Sequence, residues 1–180
     1  MIFSASFLPP EAAAEVDILG MIYLGADHRG FKLKEALKKH LSDAGMPFED
    51  LGAIVYDEGD DYVDFAEAVA EKVSGNPCEH KGILVCGSGH GMDMVANKFP
   101  AVRAALSVSK EQAIQSREHE DSNVLVLPSD MVDEAHAKDI VDAWLAAKFS
   151  KGERHKRRLK KMKDIEIRNF DARAHFECDD

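Results

Sequence analysis

The sequence predicts an α/β domain of three layers, α/β/α, with a mostly parallel, Rossmann-like sheet of five strands and two further helices at its C-terminal end. Three observations carry that expectation. Five short apolar runs recur along the chain, each of a length suited to a buried strand. Segments with apolar residues at helical spacing lie between them, and each right-handed crossover would lay its helix over the sheet. A glycine loop, Cys86-Gly87-Ser88-Gly89-His90-Gly91, joins one apolar run to the next helix start.

The first strand runs from Met21 to Gly25. Phe31 to Ala44 follows as a helix with Leu33, Leu37, Leu41 and Ala44 on one face, and Gly45 stops it. Phe48 to Leu51 is a short second strand. An acidic loop through Asp57, Glu58, Asp60 and Asp61 leads to a helix that turns Val63, Ala66, Val69 and Val73 inward and ends at Gly75-Asn76-Pro77. Ile83 to Cys86, Val102 to Leu106 and Asn123 to Leu127 are the other strands, separated by a helix from Gly91 and another over Ser109 to Glu118. Helices over Asp133 to Phe149 and Glu153 to Asn169 close the domain.

At 180 residues, 45% of them hydrophobic, one domain with a proper core is expected. Residues 1–20 read as an N-terminal extension, 21–169 as the domain, and 170–180 as a flexible acidic tail. The extension carries no Lys or Arg, and Pro9, Pro10, Glu11, Glu15 and Asp17 interrupt it, which fits neither a signal peptide nor a membrane span. Three cysteines, Cys78, Cys86 and Cys178, are odd in number and lack metal-ligand spacing, so a cytoplasmic protein without a disulfide framework or metal is expected. A net charge of −10 disfavours nucleic acid as a partner. Yet Lys148 to Lys163 holds nine of the 23 bases and one of the 33 acids. That stretch is a solvated basic helix, a phosphate clamp, or a contact with an acidic surface of a second subunit.

The glycine loop carries the chemistry. Its backbone N–H groups can turn toward one point, and amides at the following helix start add partial positive charge. Such an environment favours thiolate at Cys86, so one segment could supply both a base and a cradle for an oxyanion. A small buried hydrophobe at a strand end and a nucleotide-phosphate loop are the competing readings. In open α/β sheets ligands bind beyond the carboxyl ends of the strands. Asp27 and His28 follow the first strand, Cys86 and Ser88 the third, and His119 lies just before the last, so all five are candidates for one crevice. Taken singly, Asp27 also reads as a helix-capping acid, and His119 as a cation at a helix C-terminus.

Several motifs in order resemble the family of B-type ribose-5-phosphate isomerases and galactose-6-phosphate isomerases. They are Gly25-Ala26-Asp27-His28 with Gly30-Phe31, Asp61-Tyr62, Cys86-Gly87-Ser88-Gly89 with Gly91, Ala96-Asn97-Lys98, and Arg103-Ala104. His119 with Asp121 and Asn123, then Gly152-Glu153-Arg154-His155 with Arg158, extend the match to Arg168. The resemblance implies a homodimer or dimer of dimers with active sites shared between subunits, acting on a sugar phosphate without metal or organic cofactor. It implies that Cys86 carries a proton between C1 and C2 through an enediolate. The amides of Gly87, Gly89, His90 and Gly91 would hold the oxyanion, with a hydrogen bond from Ser88. His119 with Asp27 would open the furanose ring, Tyr62 would line the sugar pocket, and His28 with the partner's Arg154 and Arg158 would bind phosphate.

The chain departs from that family's pattern at several positions. Glu120 stands where Asn is usual, which either retunes the sugar or turns aside to solvent or to a cation such as Arg117. His90 replaces a small residue, Val63 replaces a Pro, and Pro128-Ser129-Asp130 replaces a Gly-Ser-Arg-like turn. Some relatives use a Glu after the loop, where Met92 stands here. Ribose 5-phosphate is the favoured substrate. Galactose 6-phosphate, allose 6-phosphate, a tetrose phosphate or a non-catalytic binding module are the alternatives.

Overall fold

The computed structural model describes residues 20–169. The expected N-terminal extension, up to residue 19, and the expected tail lie outside the described residues. Five strands form one sheet: β1 (Ile22–Ala26), β2 (Phe48–Asp50), β3 (Lys81–Cys86), β4 (Ala104–Leu106) and β5 (Val124–Pro128). They lie in the order β2-β1-β3-β5-β4, and every neighbouring pair is parallel. Six helices accompany them: α1 (Phe31–Asp43), α2 (Tyr62–Gly75), α3 (His90–Ala96), α4 (Lys110–Glu120), α5 (Glu134–Ala146) and α6 (Glu153–Asn169). Thus the sheet is wholly parallel.

Two apolar layers follow from the two-residue period of the strands. On one face Ile22, Leu24, Ile83, Val85, Leu125 and Leu127 meet Leu33, Leu37 and Leu41 of α1, Ala113 of α4, and Ile140 and Trp144 of α5. The alternate residues Tyr23, Leu84, Cys86, Val124 and Val126 face Ala66, Val69 and Val73 of α2 and Met92 of α3. Trp144 is fully buried and satisfies its indole N–H on Ser122 Oγ at 2.9 Å. By contrast α6 lies outside both layers, and His155 is its one buried residue.

β4 begins two residues later than the apolar pattern indicates. Asn123 is the cause. Its side-chain Oδ1 accepts the Arg103 N–H at 2.8 Å and its Nδ2 donates to Ala101 O at 2.8 Å, so a side chain satisfies backbone that a ladder would otherwise pair. Cys86 is a free, buried thiol.

A charged cluster under β2 escaped the sequence pattern. Lys34 sits among the inward residues of α1 with no exposed side-chain surface, and its Nζ meets Asp50 Oδ2 at 2.5 Å and Glu35 Oε1 at 3.0 Å. Lys38 reaches the same Asp50 oxygen at 2.7 Å. Burial raises the Asp50 pKa, but the two ammonium groups outweigh it and hold the carboxyl below its usual range. Removing one member of a buried ion pair strands the other. Asp50→Ala is therefore expected to cost about 3 kcal/mol, read as a lower denaturant midpoint. A loss under about 0.5 kcal/mol would show that Glu35 alone satisfies Lys34.

Candidate active site

The chain runs from β1 outward to β2, then returns to place β3 on the other side of β1. This reversal opens a crevice between the carboxyl ends of β1 and β3, the place where open parallel sheets bind ligands. Residues 27–30 enter it from β1 and residues 86–91 from β3. Gly89 has φ +81°, a left-handed conformation that costs glycine nothing, and this turn aims its N–H back at Cys86 Sγ, 3.1 Å away. The sulfur therefore lies inside the loop. Ser88 and His90 are exposed beside it. The Tyr62 ring closes over Gly91, where an added Cβ would stand 2.5 Å from its Cε2.

The expectation that this environment favours thiolate does not hold for the isolated chain. Cys86 is buried, and burial pushes its pKa up; the Gly89 N–H pulls it down, and the nearby Asp27 charge raises it further. Asp27 is itself buried, which raises its pKa, although its Oδ1 accepts the Gly30 N–H at 2.9 Å. That N–H belongs to the residue before α1, and the helix start has no side-chain cap, so Asp27 is not the capping acid the sequence offered; its charge acts on the nearby thiol. Met92 is fully buried in the apolar layer and cannot act as a base. Asp93 is half-buried with Oδ1 unpartnered, and burial raises its pKa.

His28 has a partner that the sequence analysis missed. One oxygen of Asp60 accepts both the His28 backbone N–H at 3.0 Å and its ring Nδ1 at 2.7 Å. A carboxylate can only accept, so Nδ1 carries a proton. The hydrogen bond to Asp60 raises the His28 pKa. The acidic loop was legible in the sequence; its reach back to residue 28 depends on the fold.

His119 is elsewhere. It lies in the last turn of α4, which leads directly into β5, and Val124 at the start of β5 pairs with Gly82 near the start of β3. Cys86 pairs with Pro128 at the opposite end. Four residues of strand separate the two levels, about 13 Å at 3.3 Å per residue. A parallel strand has its preceding helix end at the far edge of the sheet. Asp27, His28, Cys86 and Ser88 thus share a crevice within one chain, and His119 does not join them.

That far edge holds a second cluster. The His119 ring packs on His155 of α6, with centroids 4.3 Å apart. His155 Nε2 accepts the Arg154 Nε–H at 2.7 Å, and its Nδ1 meets Ser150 Oγ at 2.7 Å. Burial and the neighbouring His119 and Arg154 lower the His155 pKa, in keeping with a neutral acceptor ring. Arg154 and Arg158 are exposed one turn apart on α6. Glu120 is exposed, and Arg117 is already engaged by Asp121 Oδ1 at 2.8 Å and Ser122 O at 2.6 Å. The suggested Glu120 to Arg117 contact is therefore not made. Asp121 Oδ2 accepts from Arg103 Nη2, and Asn123 Oδ1 accepts the Arg103 N–H.

Each chain thus carries two separate clusters, one with a thiol in an amide loop and a protonatable imidazole, the other with two packed imidazoles and two guanidinium groups. Among the described residues, no group of three or more metal-ligating side chains is assembled. No described helix is long and apolar enough to cross a membrane.

An open parallel sheet with a thiol-bearing glycine loop at its switch point defines an α/β protein of the small-molecule-binding class. The chain belongs to the ribose/galactose isomerase family, whose model matches residues 22–162. It is 43% identical over 141 residues to a probable ribose-5-phosphate isomerase B of Mycoplasma genitalium, covering 78% of this chain and 92% of the relative. Against ribose-5-phosphate isomerase B of Escherichia coli it is 41% identical over 147 residues, 82% of this chain and 97% of that one. The crystal structure of the Mycoplasma genitalium protein with bound ribulose 5-phosphate superposes with a TM-score of 0.79 at 42% identity, covering 81% and 95% of the two chains.

Proposed function

We propose that this chain interconverts ribose 5-phosphate and ribulose 5-phosphate. The observation that carries the reading is the Cys86 sulfur held inside a loop of backbone amides at the switch point of a parallel sheet. In the open-chain aldose, Cys86 thiolate takes the proton from C2, and the electron pair moves to give an enediolate. The amides of residues 87–91 stabilise the oxygen that becomes negative only at this stage, which is where binding lowers the barrier. The resulting thiol returns the proton to C1, and a proton moves between O1 and O2. No redox or organic cofactor is needed for that balance.

The second cluster fits the remaining tasks. His119 with Asp27 opens the ring, and Arg154 and Arg158 grip the phosphate together with His28. Since His119 and Cys86 lie at opposite ends of one sheet, a homodimer or pair of dimers in which each crevice receives the partner's α4 and α6 supplies both. A sugar phosphate is confined within the cell by its charge, so we place the protein in the cytoplasm. Assay of purified protein on a panel of four-, five- and six-carbon aldose phosphates tests the reading. Turnover highest on ribose 5-phosphate is expected, and absence of turnover on the whole panel would refute it.

Glu120 bears on which sugar is used. A dry, unpaired carboxylate beside an enediolate would oppose it by several kcal/mol, roughly, at short range. We take the side chain to keep, in the assembly, the solvent-facing course it has in the single chain, where it is exposed. Glu120→Asn is accordingly expected to change kcat/KM on ribose 5-phosphate by less than about tenfold. A gain on ribose 5-phosphate together with a loss on a six- or four-carbon substrate would instead make Glu120 the determinant of a different sugar.

A further inference from the structure

Arg29 is the residue at the crevice to which the site described so far gives no role. Its side chain crosses from the end of β1 to the glycine loop and lies flat on Gly87. A Cβ built at Gly87 would stand 2.4 Å from Arg29 Cζ and Nε and 2.7 Å from Nη1. Residue 87 must therefore be glycine for the guanidinium to rest there. The turn after β5 fixes the arrangement. Asp130 Oδ2 accepts Arg29 Nη2 at 2.5 Å, and the Asp130 N–H donates to Gly87 O at 3.0 Å. Ser129 Oγ contacts both Arg29 O at 3.1 Å and Cys86 O at 3.2 Å.

An ion pair with 54% and 47% of its two side chains exposed contributes little to stability. It does aim a planar fork of donors. Only one of the five guanidinium N–H groups is taken by Asp130, so others are available to an anion. The Arg29 charge is also felt by its neighbours, where it opposes in small part the upward shifts that burial gives Cys86 and the Asp60 hydrogen bond gives His28.

The electrostatics of the crevice call for such a group. Asp27, Asp60 and Asp130 all line this end of the sheet. A phosphate dianion entering beside three carboxylates needs cations, and His28 and Arg29 are adjacent in sequence there, each pinned by its own carboxylate. We propose that Arg29 is a phosphate-binding residue, stationed by Asp130 on Gly87 so that its fork meets the phosphate of the substrate alongside His28. The inference rests on the isomerase reading for its substrate but concerns the phosphate monoester alone. Guanidinium suits this task because its planar donors match two phosphate oxygens at once.

Two variants and two probes test it. Arg29→Gln keeps a planar group on Gly87 without the charge, and Arg29→Lys keeps the charge without the fork. Binding of inorganic phosphate, measured by calorimetry on the full chain, is expected to weaken by about tenfold or more in Arg29→Gln and by roughly threefold in Arg29→Lys. In turnover, KM for ribose 5-phosphate is expected to rise in the same order with kcat within about twofold, while kcat/KM on unphosphorylated ribose stays unchanged. Phosphate affinity within twofold of the parent in both variants, or an equal loss on ribose, would overturn the proposal and leave Arg29 as a tether for the turn. Calorimetry keeps the two readings separate. Weakened phosphate binding in a protein that isomerises none of the sugars would sink the isomerase reading and leave the role of Arg29 standing.

Discussion

Replacing Cys86 by alanine is expected to lower kcat by about 10²–10⁴-fold, the range for a positioned proton-transfer group, with KM and melting temperature near those of the parent. In the proposed mechanism the thiol acts on a carbon-bound proton and contributes little to ground-state affinity, and the deletion removes one sulfur from a side chain only 5% exposed at the rim of the core. The pH dependence follows from the same environment. Burial and the Asp27 carboxylate raise the Cys86 pKa, so the reactive thiolate is the minor form at neutral pH and its fraction grows as pH rises. In the parent, kcat/KM should climb through the neutral and alkaline range, approaching about tenfold per pH unit below the thiol pKa. A parent profile flat from pH 6 to about 9, or equal turnover by parent and Cys86→Ala, would remove the thiolate from the mechanism.

His119→Asn is expected to lower kcat by about 10²-fold through loss of acid–base assistance to ring opening. Asn is preferred to Ala here because the His119 ring packs on His155, and deleting it would leave a gap beside a buried neighbour. Pre-steady-state turnover separates the two steps. The fraction of ribose 5-phosphate already open in solution should react at the parent rate in His119→Asn, and the cyclic remainder should react slowly. Uniform slowing of both fractions would assign His119 to the proton transfer itself or to binding.

Much of the fold was legible because burial imposes periods that survive in the sequence. The five apolar runs and the helical faces of Leu33, Leu37 and Leu41 or of Val69 and Val73 give the same layers in the structure. What escaped was set by pairing across the chain. Lys34 sits at a core position of α1 that no period reveals, because its partner Asp50 belongs to another element. Asn123 shortens β4 through its side chain, a contact that apolar patterning cannot register.

The crevice was half legible for the same reason. Asp27, His28, Cys86 and Ser88 follow strands, and residues that follow parallel strands gather at one edge. His119 precedes a strand and so belongs to the opposite edge, a distinction already contained in the word parallel. Asp60 and Arg29 were unreadable as site groups, since their places come from the reach of loops over 32 and 101 residues of sequence.

In the proposed assembly one working site draws Cys86 from one chain and His119 from another. Mixing the impaired Cys86→Ala and His119→Asn proteins under conditions that exchange subunits tests it directly. In a hybrid dimer one crevice would hold both altered residues and the other would hold neither, so random exchange should restore about a quarter of the parent activity. Activity no greater than the sum of the two variants, despite hybrid dimers demonstrated by native mass spectrometry, would contradict a site shared between chains.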